Sequence, residues 1–99
     1  MFRRQRKELK IKIPKKVKIG AITYKVTIYK EIPNKESALG HTSYEREVIQ
    51  LAESKPDCMF NTFLHEVLHC FNYESDDLKI QNLADRLHDF IKDNPRIFK

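Results

Sequence analysis

Glycine is scarce in this 99-residue chain, with two in all, and tryptophan is absent. So little glycine excludes a collagenous or glycine-rich, loop-dominated protein. No run approaches the roughly 18–20 consecutive apolar residues that a membrane span requires. The basic N-terminus lacks the apolar stretch of a secretory signal, so the expected compartment is the cytosol, with no membrane partner. Cysteine is also sparse: Cys58 and Cys70 fall on one predicted helix. At about 1.5 Å of rise per residue they stand roughly 18 Å apart, too far to bridge. Two free thiols suit a reducing compartment.

What remains fits one domain, 1–99, with 40% hydrophobic and 33% charged residues. Charge is unevenly spread. Residues 1–18 carry nine Lys/Arg against Glu8 alone, whereas the other 81 carry ten against thirteen acids. Such an arm has the charge to touch nucleic acid. The alternation of Lys10, Lys12, Lys16 and Lys18 with apolar residues favours the plainer reading of a lysine-protected edge strand.

Residues 1–8 read as a frayed basic end. Leu9–Ile13 alternates as a strand stopped by Pro14. Val17–Ile19 and Ile22–Tyr29 read as a hairpin turning at Gly20-Ala21, with glycine first as a type II′ turn prefers. Residues 30–39 have loop composition. Gly40–Tyr44 and Glu47–Ala52 read as a second hairpin, turning near Glu45-Arg46. From Ser54 the period becomes helical, with Ser54, Pro56 and Asp57 as start signals. Phe60, Phe63, Leu64, Val67, Leu68 and Phe71 follow the i, i+3, i+4, i+7 rule. Asn72 is a plausible stop. A second helix begins after Ser75 with Asp76 and Asp77 in its first turn. Its apolar stripe is Ile80, Leu83, Ala84, Leu87 and Ile91, and Asn94-Pro95 ends it. The expected fold is α+β: a small twisted sheet of about four to five strands followed by two packed helices. Residues 94–99 form a tail that either finishes the core, covers the cleft, or crosses into a neighbour as a swapped dimer; otherwise the chain is a monomer.

Chemistry concentrates in His65-Glu66-Val67-Leu68-His69. At 100° per residue both imidazoles leave the apolar face of the first helix, one above the other. Side chains four apart on a helix have Cβ atoms about 6 Å apart, so both rings can reach one zinc ion. Glu66, one step round, is placed to take a proton from a water there. Random placement of four His and eight Glu yields this pattern about once in 80 chains, and the competing reading is two merely exposed histidines. The capped helix and the non-core phase favour the zinc site. The predicted activity is peptide-bond hydrolysis on a peptide or protein substrate, with Glu66 as catalytic base. The alternatives are a zinc-stabilised binding module without catalysis, or a degenerate, latent peptidase.

The chain resembles the minigluzincins, small gluzincin-type zinc metallopeptidases, and short phage relatives of that kind. The segments "KVKIGAITYKVTI", "ALGHTSYEREVIQL", "NTFLHEVLH" and "LADRLHDFIKDNP" stand in the familiar order; only HEVLH is specific. The resemblance implies an endopeptidase whose edge strand, here within residues 40–52, pairs with an extended substrate. It also implies a third ligand from the second helix. There "QNLAD" is similar to the family's E-x-x-A-D, which puts Gln81 at the ligand position and Asp85 behind it. Glutamine is a poor zinc ligand. His88 is chemically better and shares the same flank of the helix, so the expected metal set is His65, His69 and His88. Asp85 is next, as ligand or as the partner of a zinc-bound histidine. Cys70 falls towards the core as a packed thiol. His41, which could face the cleft, and Tyr73, one turn after His69 on the same face, are read as solvated side chains.

Overall fold

The computed structural model describes residues 12–71 and 76–98. Four strands come first: β1 Lys16–Ile19, β2 Ile22–Tyr29, β3 Gly40–Ser43 and β4 Val48–Ala52. Two helices follow, α1 Pro56–Phe71 and α2 Asp77–Asp93, with a short 3-10 turn at Pro95–Phe98. The predicted strand at Leu9–Ile13 lies outside the described residues except for Lys12 and Ile13, which belong to no strand.

β1 and β2 form the expected antiparallel hairpin, with Ile19 opposite Ile22. Gly20 has φ +63°, and Ala21 is not among the residues with positive φ. Positive φ at the first loop position alone fits a type II′ turn and excludes I′. The second hairpin pairs Ser43 with Val48, closing a four-residue loop in which Glu47 takes φ +57°.

The two hairpins join through a parallel pairing of β2 with β4, so the strand order is β1-β2-β4-β3. β4 is therefore central and β3 is an edge. Period-two alternation puts Tyr24, Val26, Ile49 and Leu51 on one face, and all four are buried. Phe60, Phe63 and Leu64 of α1 and Ala84 and Ile91 of α2 complete this core. Ile32, also buried, anchors the loop after β2. α1 packs on this face of the sheet and α2 packs in turn on α1, while Lys16, Lys18 and Lys25 are exposed.

The second helix buries a narrower arc than expected. Ile80, Ala84 and Ile91 are buried, and Leu87 packs partly against the core. Leu83, assigned to the stripe by period alone, is 54% exposed. It lies some 60° to one side of Ile80 on the helix, at the edge of the apolar arc. The C-terminal 3-10 turn packs on the end of α2 with Ile97 exposed. Among the described residues no helix is long and apolar enough to cross a membrane.

Candidate metal centre

α1 and α2 lie antiparallel, joined by a short connection, and their facing side chains meet in rungs. His69 meets Asp77 at 2.7 Å, His65 meets Gln81 at 2.8 Å, and Asn61 meets Asp85 at 3.1 Å. Each step of four residues back along α1 is a step of four forward along α2. Farther along, the Lys92 ammonium binds the Asp57 carboxylate. Asp57 thus braces the start of α1 against α2, rather than closing a capping box with Ser54.

At the open end of this ladder three donor atoms converge. His65 Nε2 and His69 Nε2 are 3.0 Å apart. Asp77 Oδ1 lies 2.7 Å from His69 Nε2 and 3.5 Å from His65 Nε2. Tetrahedral zinc with bonds of about 2.0–2.1 Å spaces its ligand atoms roughly 3.3 Å apart, close to this triangle. The donor chemistry agrees, because two imidazole lone pairs and one carboxylate are what a borderline-soft divalent cation takes. His65, His69 and Asp77 therefore form a group that can bind a metal ion.

The third member differs from expectation. His88 lies outside the group. Its Nδ1 is 3.2 Å from Asn61 Nδ2, and its ring stands edge-on to Phe60 with centroids 5.4 Å apart. It shares the flank of Gln81, but it is two turns farther from the connection, level with Asn61 rather than His69. Gln81 is not in the triangle either; its Oε1 accepts from His65 on the nitrogen opposite the one facing Asp77. Asp85 lies one rung deeper, bonded to Gln81 and Asn61.

Asp77 escaped the sequence reading because its place in the first turn of α2 explained it as a helix-dipole residue. The structure divides that labour. Asp76 caps the helix, accepting from Lys79 N–H at 2.9 Å. Asp77 has a side chain 85% exposed and faces the histidines, whose side chains are only 16% exposed. The available signal was an acid one residue past the cap, eight after His69.

Glu66 is the surprise of burial. Helical phase turned it away from the apolar face, yet it is only 8% exposed, because β3 lies over it. Thr42 Oγ1 donates to Glu66 Oε1 at 2.6 Å. Gly40 permits the approach: a Cβ there would sit 2.7 Å from Thr62 Cγ2 and 2.9 Å from Glu66 Oε2. A glycine inside a strand commonly marks such close contact, and that signal was legible. The Tyr44 hydroxyl closes the other side, donating to His69 O at 3.3 Å. Between them lies an open groove of about 310 Å³ whose walls include Thr42, Tyr44, Glu66 and the three candidate ligands. His41, opposite Gln50, also lines this groove. Another hollow, of about 440 Å³, lies against Ile13–Lys15 and Lys25–Ile28 and holds no acid or imidazole.

Behind the groove, burial pushes the Tyr24 phenol up to about 12, and the adjacent Cys70 thiol adds to the shift. Burial likewise raises Cys70, partly offset by its hydrogen bond with Tyr24. Cys70 is half-buried against the core and outside the metal group; Tyr73 lies outside the described residues. No family model, curated protein or solved structure matches this chain.

Proposed function

We propose that the protein is a zinc-dependent peptidase that hydrolyses peptide bonds of an extended substrate, with His65, His69 and Asp77 as ligands and Glu66 as general base. The observation that carries the reading is the convergence of His65 Nε2, His69 Nε2 and Asp77 Oδ1 beside a buried carboxylate on one groove. Three protein ligands leave a fourth position open, the arrangement of catalytic rather than structural sites. Bound zinc would lower the pKa of a coordinated water and polarise the scissile carbonyl.

The chain's own residues supply the rest. Glu66 Oε1 is held by Thr42, so its carboxylate keeps one orientation and Oε2 remains to take a proton. Burial under β3 limits the bulk water that competes for that proton. Among the described residues β3 is a sheet edge, so backbone groups on its outer side can pair with an added strand. A peptide paired there by main-chain bonds runs alongside the groove, with limited dependence on its side chains.

The test combines metal content with turnover. The parent should bind about one zinc per chain and cleave members of a peptide library. Glu66→Gln should keep the metal and lose at least about 100-fold in rate, since an amide cannot accept the proton. A variant as active as the parent refutes the base assignment. Metal binding without cleavage by the parent makes the site a metal-holding module instead.

A further inference from the structure

Four polar side chains behind His65 form one network with a single self-consistent direction. Gln81 Oε1 is 2.8 Å from His65 Nδ1. Gln81 Nε2 is 2.7 Å from Asp85 Oδ1 and 3.0 Å from Asn61 Oδ1. Asn61 Nδ2 is 3.1 Å from the same Asp85 oxygen and 3.2 Å from His88 Nδ1. A carboxylate accepts and never donates. Both amide atoms facing Asp85 must therefore be nitrogens. That turns the Gln81 oxygen towards His65 and the Asn61 oxygen towards Gln81. His65 Nδ1 must then carry the proton, which leaves the Nε2 lone pair aimed at His69 and Asp77. His88 Nδ1 must accept in turn.

We infer that Asp85 is a positioning residue: through the Gln81 amide it selects the Nδ1–H tautomer of His65, the one whose Nε2 can bind a metal. The inference rests on the metal-site reading for its purpose, but the tautomer itself belongs to the metal-free protein. A neutral histidine in water carries its proton on either nitrogen, and only one form leaves Nε2 free to ligate. Metal-binding histidines generally donate their second ring N–H to a fixed acceptor. Here the acceptor is an amide that would serve equally well reversed, were Asp85 not choosing its direction. His88, foreseen as a ligand, instead joins this network through Nδ1.

The experiment reads imidazole nitrogen NMR of the metal-free protein, then titrates it with zinc ion alone. In the parent, His65 should be the Nδ1–H tautomer. Asp85→Asn keeps the shape but can donate, so the Gln81 amide is free to turn either way and both tautomers should appear. Zinc affinity should fall about tenfold, at the lower end of the roughly 10–100-fold range for groups behind a ligand, because Asp85 is exposed to competing water. Gln81→Leu should produce the same loss, and Asp85→Asn should add nothing to it, which a merely structural role would not reproduce. Far-ultraviolet dichroism checks that each variant is folded, and Asn61→Ala, which leaves Asp85 and Gln81 in contact, should have the smaller effect and serves if Asp85→Asn does not fold. An Nε2–H tautomer in the parent, or an Asp85→Asn effect that persists undiminished beside Gln81→Leu, overturns the inference. A parent that binds no zinc refutes the metal reading instead, and the tautomer shift still decides this one.

Discussion

Replacing Thr42 by valine tests whether the edge strand holds the proposed base. The two side chains have nearly the same shape, so the change removes one O–H donor and little else. That donor stands 2.6 Å from a carboxylate that is 8% exposed. A hydrogen bond to a charged group contributes about 1.5–3 kcal/mol, and water has little access to replace it at this site. The expected loss is about 2 kcal/mol, which for a domain near 100 residues lowers the melting temperature by roughly 8–16 °C. Urea unfolding in the presence of a chelator measures it without any contribution from metal. Thr42→Ser, which keeps the hydroxyl, should recover most of the loss. The cycle with Glu66→Gln isolates the pair: valine at 42 should cost clearly less when residue 66 is uncharged, leaving a coupling of about 1 kcal/mol or more. Valine as stable as the parent, or an equal cost in both backgrounds, would refute the reasoning.

Three further outcomes follow from the same geometry. Asp77→Asn should reduce zinc affinity by more than the roughly tenfold expected of a group behind a ligand, whereas His88→Ala should stay within that range; isothermal titration decides, and the reverse order restores His88 as the ligand. Gly40→Ala must push β3 from α1, so it should cost about 1–3 kcal/mol by chemical unfolding, while alanine as stable as glycine would mean that the strand shifts freely. Tyr24 is held protonated in the fold, with a pKa near 12 against an ordinary 10. Its contribution is therefore whole below pH 10 and disappears as pH rises through 12; a parent whose stability falls no faster than that of Tyr24→Phe across that window, by denaturant midpoint, contradicts the assignment.

What the sequence made legible was local. The Gly20-Ala21 turn, the start of α1 near Pro56 and the start of α2 after Ser75 depend on neighbours within a few residues, and each stands where it was expected within a residue or two, although Asp76, expected inside the first turn, is the cap. The His65–His69 pair was legible for the same reason, since helical spacing alone brings the two rings together. The parallel contact of β2 with β4 was not, because alternation tells which face a strand buries and says nothing of its neighbour. Burial of Glu66 was hidden for a related reason. Phase measured its angle from α1's own apolar face, but the covering surface came from β3, through a strand order that no local signal encodes.

The choice between Asp77 and His88 turns on height along a helix, which a helical wheel discards. Two antiparallel helices with a short connection place the last turn of one beside the first turn of the next. His69 is in the last turn of α1, so its level partner must come from the start of α2. His88 is eleven residues beyond Asp77, about 16 Å along the axis. To reach the imidazoles it would have to pass the rungs made by Gln81 and Asp85. The electrostatics of the two helix ends favour the same place. The C-terminal end of α1 carries partial negative charge and attracts a cation, and the N-terminal end of α2 favours the carboxylate that would share it. Asp76 already satisfies an α2 N–H, which leaves the Asp77 carboxylate to face His69. Connection length and helix polarity thus bring an acid one residue past the cap to the two imidazoles and leave His88, three turns away, outside the group that could bind a metal ion.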